Sequence, residues 1–509
     1  MQISVVEYFE KTLKCFPEKT GVMDDVSSYT FSQMATRANH IAAMIASKVK
    51  VRNMPIAVYL PKSCDAVISF LGILLSGNLY MPLDVKFPQL RIQRILENIG
   101  PSLVITNSTL ARTVEACGFP VESVLLLDAD SSSSSFPDIP DSVNAWRSLI
   151  NTDPAYIINT SGSTGIPKGV VISHRSIIDH IDWAIMQFGL KDDIVIGNQA
   201  PLCFDTSTWE IYLSWALGGT LVLIPENLFT FPLKLMEYVA EKEITFILWV
   251  PPVLINVANM EILDKVRLPK LDKVFFGGDV MPNKHLNCWR MHLPHAQFFN
   301  LYGPTEITVN CTYYFVEREF RDEEVLPIGF PCRNSDILIL NGEDKLCETN
   351  EQGELCVRGT SLALGYWNDP DKTAKAFVQN PLNKHYPERI YRTGDLVYKN
   401  ELNEIIFVGR KDFQIKHLGY RIELGEIESA IYGIDGIEKA CVLYNEEKAQ
   451  ITLFYECDHE LKSADIRQKV SALLPKYMQP TSFFQMESIP LNTAGKIDRQ
   501  SLMTLMLEG

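Results

Sequence analysis

Residues 155–170 read AYIINTSGSTGIPKGV. Four residues of buried type, Ala155 to Ile158, read as a strand that runs straight into a loop of Thr, Ser and Gly closed by Pro167-Lys168-Gly169. Glycines let the backbone approach an oxyanion closely, successive N–H groups make an anion-binding nest, and Lys168 adds positive charge. Such a loop cradles phosphates. It is not the P-loop of ATPases, because GxxxxGK[ST] is absent. A flexible Gly/Ser linker is the bland alternative; the strand before the loop and the lysine within it favour phosphate.

Outward from this loop, the first 150 residues alternate helix and strand patterns. Asn39 to Lys50 and Ala66 to Leu75 read as helices, and Ile56 to Leu60, Val104-Ile105 and Val124 to Leu127 as strands. This alternation predicts an α/β fold with parallel strands. Asp128 to Asp141 is rich in Ser, Pro and Asp and reads as a surface loop. Gly353 to Val357 and Glu404 to Phe407 read as short antiparallel strands. Beyond them come a strand (Phe413 to Lys416), a helix (Leu424 to Tyr432), two strands (Glu438 to Tyr444, Gln450 to Tyr455), a helix (Ser463 to Leu474) and a last strand (Ser482 to Met486). About a hundred residues suffice for a small α+β domain with its own core. The expected division is 1–410, a large domain of parallel and mixed sheets with helices, and 411–509, a small C-terminal domain.

The 509 residues fit two to four domains, with 46% hydrophobic and 21% charged residues, which excludes wholesale disorder. A net charge of −15 argues against nucleic acid or an anionic membrane as main partner. No apolar run reaches the roughly 18 residues of a spanning helix, and the N-terminus lacks a secretory pattern, so a cytoplasmic protein is expected. The eleven cysteines show no zinc or redox spacing and read as reduced thiols. His174 reads as a helix-start residue.

The stretch TSGSTGIPKGV at 160–170 resembles the signature of the adenylate-forming superfamily: acyl-CoA synthetases, luciferases and the adenylation domains of nonribosomal peptide synthetases. The resemblance continues in order through Tyr29-Thr30-Phe31, GNLYMPLD at 77–84, Phe204-Asp205, NLYGPTE at 300–306, GELCVRG at 353–359, YRTGDL at 391–396, GRKDFQIKHLGYRIELGEIE at 409–428 and NTAGKIDR at 492–499. It implies ATP and Mg²⁺ as cofactors. Thr160, Ser161, Gly162, Ser163, Thr164, Gly165 and Lys168 would cradle the β- and γ-phosphates, with Thr164 and Lys168 counted among the catalytic groups. Glu306 would hold Mg²⁺. Tyr302 would stack on adenine, Asn300 would bond its amino edge, and Gly278, Gly303 and Thr305 would line the nucleotide. Asp395 would accept from both ribose hydroxyls, assisted by Arg410. Lys496 would bridge the substrate carboxylate and the α-phosphate, two anions that repel at ~3–4 Å. Taken singly, Tyr302 also reads as a core aromatic, Glu306 as a solvated carboxylate, Asp395 as a turn residue and Lys496 as a solvated lysine. The resemblance further implies a small domain that swings about Asp412 and brings the strand near Gly419 to the site for thioester formation. The run Lys416-His417-Leu418-Gly419 departs from the commoner K-[IL]-R-G and resembles D-alanine–carrier protein ligases.

Phe204-Asp205 marks the amino-acid-activating branch, in which the aspartate pairs with the buried α-ammonium group; Asp205 also suits a helix cap. The specificity positions carried over are Asp205, Thr206, Trp209, Trp249, Phe275, Gly277, Leu301, Val309, Asn310 and Lys496. None of those facing the side chain is charged, and two tryptophans and a phenylalanine crowd the space, so a compact neutral amino acid such as proline, alanine or serine is expected. Asn310 keeps a hydroxyl or an amide in play, and Trp249 a proline ring. The chain ends ten residues after Arg499, so the expectation is a free-standing ligase loading the phosphopantetheine thiol of a separate carrier protein. The alternative is a CoA ligase for a small carboxylic acid.

Overall fold

Unbroken apolar runs such as Pro55–Tyr59 and Phe246–Trp249 suit strands covered on both faces, and all nine of those residues are buried. The computed structural model describes residues 2–128, 141–162, 166–457, 463–491 and 497–508. Most of the Ser-rich stretch after Asp128 lies outside the described residues. The chain divides into two units. One comprises Met1–Val85, Ile99–Asn159 and Gly169–Lys411; the other comprises Lys86–Asn98, Thr160–Lys168 and Asp412–Gly509.

The first unit is built on three sheets. The largest has nine strands, six of them parallel from Thr20–Met23 to Gln297–Tyr302, with antiparallel strands at both edges. A seven-stranded sheet holds Pro55–Tyr59, Leu79–Leu83, Leu103–Thr106 and Val124–Leu126 in parallel, as the alternating pattern predicts. The strand Pro154–Thr160 lies beside Leu79–Leu83 and delivers the phosphate-type loop. The third sheet is antiparallel and includes Gly353–Gly359, Arg389–Lys399 and Ile405–Arg410.

Strand residues of the nine-stranded sheet divide between two cores. Phe246, Leu248, Phe275, Phe299 and Leu301 belong to one cluster, and Ile247, Trp249, Val274, Phe276 and Phe298 to the other. Successive side chains point to opposite faces, which produces this division. Helix Phe31–Lys48 starts earlier than its apolar pattern suggests. Thr30 accepts from the Gln33 N–H while the Gln33 side chain accepts from the Thr30 N–H, a capping box that satisfies two orphan donors.

In the second unit, Gln414–His417 and Tyr420–Glu423 form a hairpin, and Ile437–Asn445, Gln450–Cys457 and Ser482–Gln485 a three-stranded sheet. Helices Leu424–Tyr432 and Ser463–Leu473 pack on a core of Ile422, Ile427, Val442, Leu453 and Ile466. The α/β class agrees with the sequence reading, which lacks the strand Tyr420–Glu423 and the final helix Arg499–Glu508.

Candidate functional site

In the first unit, the geometry around Asp395 begins with its backbone. Gly394 has φ +75°, and the ladder between the strands of Asp395 and Arg410 slips between Leu396 and Val397. A glycine in left-handed backbone beside a bulge re-aims a side chain that a regular strand would hold differently. The buried Asp395 carboxylate accepts from the Tyr302 hydroxyl and, at 2.5 Å, from Arg410 Nη1. Burial, followed by the Asp395 charge, raises the Tyr302 phenol well above its ordinary range, so it donates rather than ionises. Asn300 Nδ2 donates to the Pro327 carbonyl at 2.8 Å.

Glu306 lies in a single 3₁₀ turn, Thr305–Ile307, and is fully buried. The Tyr366 hydroxyl donates to its Oε1 at 2.8 Å. The turn is followed by two β-branched residues in left-handed backbone, Thr308 (φ +57°) and Val309 (φ +71°). For such residues this conformation is strained and persists only where the surroundings impose it. Gly303 permits it, because a Cβ there would stand 2.4 Å from Asn310 Cα. Gly277 is likewise pressed against Leu301, whose carbonyl oxygen would lie 2.5 Å from a Cβ. Gly278 is exposed with φ +85°.

Asp205 and Thr206 open helix Asp205–Leu217 and are half-buried. The cap is Phe204, with no side-chain cap bond, so Asp205 is the first helical residue and not the capping one. Trp209, one turn later, packs edge-on to Phe275 at 5.5 Å in a cluster that also holds Leu301 and Val309. Trp249 is separate. Its ring packs against Phe229, its indole N–H donates to the Gly197 carbonyl, and it belongs to the core on the other face of the sheet. The structure therefore does not bring Trp249 together with Trp209 and Phe275, contrary to the crowding expected of both tryptophans. His180, which the motifs do not include, does join that cluster through Trp209, at 5.9 Å.

In the second unit, Ser161 Oγ donates to the Arg421 carbonyl at 2.9 Å and the Gly162 N–H donates to Glu426 Oε2 at 3.2 Å. Lys168 Nζ stands 4.0 Å from Glu423 Oε1. Glu426 also pairs with Arg91, both almost fully buried. The Thr160 hydroxyl is buried and without a hydrogen-bond partner among the described residues. Asp412 accepts from the Gln414 N–H, and Leu418 (φ +54°) with Gly419 (φ +83°) makes the two-residue turn of the hairpin. Ser163, Thr164, Gly165 and Lys496 lie outside the described residues.

The AMP-binding enzyme family matches residues 9–367, and the chain belongs to that family. It is 31% identical over 502 residues to tyrocidine synthase 1 of Brevibacillus parabrevis, an alignment covering 98% of this chain and 45% of that one. Against four large peptide synthases it spans between 11% and 45% of their lengths. Among solved structures, the Vibrio cholerae adenylation domain AlmE in complex with glycyl-adenosine-5'-phosphate matches with a TM-score of 0.84 at 22% identity, covering 100% of this chain and 98% of that one. Holo-PA1221, a nonribosomal peptide synthetase protein containing adenylation and PCP domains, matches with a TM-score of 0.83 at 24% identity, over 99% and 84%. The chain is thus an AMP-binding enzyme, similar in sequence to parts of peptide synthases and in fold to adenylation domains. Among the described residues no helix is long and apolar enough to cross a membrane.

Proposed function

We propose that the chain activates an uncharged amino acid as its aminoacyl-AMP and transfers the acyl group to the phosphopantetheine thiol of a carrier protein acting in trans. In the first step a carboxylate oxygen attacks the α-phosphorus of ATP, and the bond to the bridging oxygen breaks as pyrophosphate leaves. In the second, the thiol loses its proton, its sulfur attacks the acyl carbon, and AMP departs with the carbonyl-bound oxygen. Asp395, prepared by Tyr302 and Arg410, would accept the ribose hydroxyls. The Asn300 amide oxygen is the end of that side chain left to accept the adenine amino group. Thr160, whose buried hydroxyl has no hydrogen-bond partner among the described residues, fits the phosphate role, and Lys168 adds charge. Magnesium needs one or two carboxylates plus phosphate oxygens; Glu306 supplies that donor, and the ion would neutralise charge on the leaving phosphates. Lys496 would draw the two reacting anions together, and Asp412 would be the hinge between the two half-reactions.

The observation that carries the amino-acid reading is the carboxylate of Asp205, in the first turn of its helix and one turn before Trp209. Its removal would leave an α-ammonium group unpaired, at about 3–5 kcal/mol. Pyrophosphate exchange across the twenty common amino acids, with wild type and Asp205→Ala, tests it. Exchange by wild type and its loss in the variant is the expected result; exchange driven by an acid lacking an amine, and unaffected by the variant, would replace it with the CoA-ligase reading.

A further inference from the structure

Around Trp209 lie buried hydrogen-bonding atoms that make no well-formed hydrogen bond among the described residues. His180 lies on helix His174–Phe188, is 5% exposed, and has its ring 5.4 Å from Trp183 and 5.9 Å from Trp209. Burial drives its pKa down to about 3, and a hydrogen-bonding approach of the Asn310 side chain, short of a well-formed bond, opposes that shift only in part. The imidazole is therefore neutral at physiological pH. Asn310 is itself 1% exposed, with its amide nitrogen 3.2 Å from Cys332 Sγ. Among the described residues, His180 Nε2, Asn310 Oδ1 and Trp209 Nε1 make no well-formed hydrogen bond. Buried polar atoms are nearly always satisfied, so three such atoms in one cluster call for an explanation. The other rings packed against Trp209, those of Phe188, Phe246 and Phe275, are apolar and offer none. The strained backbone of Thr308 and Val309 leads directly into Asn310, and Gly303 makes room for it. Strain of this kind collects where a side chain must be held for function.

The three atoms differ in what they require. An indole N–H only donates, an amide oxygen only accepts, and a neutral imidazole nitrogen does either according to tautomer. Their common complement both accepts and donates and carries no charge. We propose that His180, Asn310 and Trp209 together read a hydroxyl or carboxamide on the side chain of the amino-acid substrate, His180 being a specificity-determining residue. This narrows the compact neutral class to its polar members and disfavours alanine and proline. It rests on the reading of the Asp205 region as an amino-acid site.

The test is kcat/KM in pyrophosphate exchange for near-isosteric pairs: serine against 2-aminobutyrate, threonine against valine, asparagine against leucine, glutamine against norleucine. Wild type should favour the polar member of at least one pair by about a hundredfold or more, because an analogue lacking the group leaves these buried atoms unpaired. His180→Leu and Asn310→Leu should each reduce that ratio at least about tenfold, with His180→Gln retaining most of it. A merely structural role would lower both members together and leave the ratio unchanged. The ratio is internal to each variant, and the glutamine variant supplies a reading if the leucine variants are poorly folded. Amino acids that drive exchange without discrimination within any pair, or a ratio unmoved in the leucine variants, would overturn this proposal alone. Exchange by no amino acid, with exchange by an acid lacking an amine, would overturn the amino-acid reading and this proposal with it.

Discussion

Replacing Asp395 with asparagine keeps the shape of the side chain and removes its charge. The carboxylate and the Arg410 guanidinium are 4% and 12% exposed and meet at 2.5 Å. Asparagine can still accept from Tyr302, but its neutral amide removes the charge that faces a nearly buried guanidinium at this contact. Removing one partner of a buried pair costs about 3–5 kcal/mol, and the partial exposure of Arg410 places the expectation near the lower end, about 3 kcal/mol. Urea unfolding of wild type, Asp395→Asn, Arg410→Gln and the double variant closes a double-mutant cycle. The double variant should be more stable than the sum of the single losses implies, by about 1–3 kcal/mol, with an unchanged m-value. The KM for ATP should rise in Asp395→Asn if the carboxylate serves the ribose. Additivity to within about 0.5 kcal/mol would refute the pairing, and an unchanged KM would refute the ribose role.

Lys496→Ala should lower adenylate formation by about 10²–10³ while sparing thioester formation from supplied adenylate, and Asp412→Pro should do the reverse if the proposed hinge lies there; both are read by pyrophosphate exchange and carrier loading. Trp249→Ala should cost about 3–5 kcal/mol of stability without changing amino-acid preference, as thermal melting and exchange ratios will show, since its ring lies on the face away from Trp209. Burial lowers His174 and His180 to about 3. Below about pH 6.5 the unfolded chain takes up protons that the folded one refuses, so acidification to about 3 should remove stability by up to about 1.4 kcal/mol per pH unit for each. Melting temperatures at pH 7.5 and 5 should reveal the loss, and His174→Gln should reduce it.

The sequence exposes what is fixed by composition over short spans. The strand Pro154–Thr160, the Leu424–Tyr432 helix and the parallel strands around Pro55–Tyr59 all depend on local pattern, and each is legible. The face occupied by Trp249 is not. Phe246-Ile247-Leu248-Trp249 is apolar on both sides of the sheet, so no alternation marks which residues look toward Asp205. The start of helix Phe31–Lys48 is readable in retrospect from Thr30 and Gln33, whose hydrogen bonds override a weak apolar pattern. His180 carries no motif. Its place beside Trp209 and Asn310 depends on three segments distant in sequence, and only burial with no well-formed hydrogen bond at Nε2 among the described residues singles it out.

The second unit is assembled from three separate stretches of chain, and this bears on any attempt to build hybrids from such enzymes. A chimera spliced at Asp412 would bring Arg421, Glu423 and Glu426 from one parent and retain Arg91, Ser161, Gly162 and Lys168 from the other. Each of these residues is joined to a residue across that seam by a hydrogen bond or an ion pair. A mismatch at Arg91 alone would strand the Glu426 carboxylate in the interior. Hybrid enzymes should therefore exchange residues 86–98 and 160–168 together with the C-terminal segment, as one transplant with three pieces.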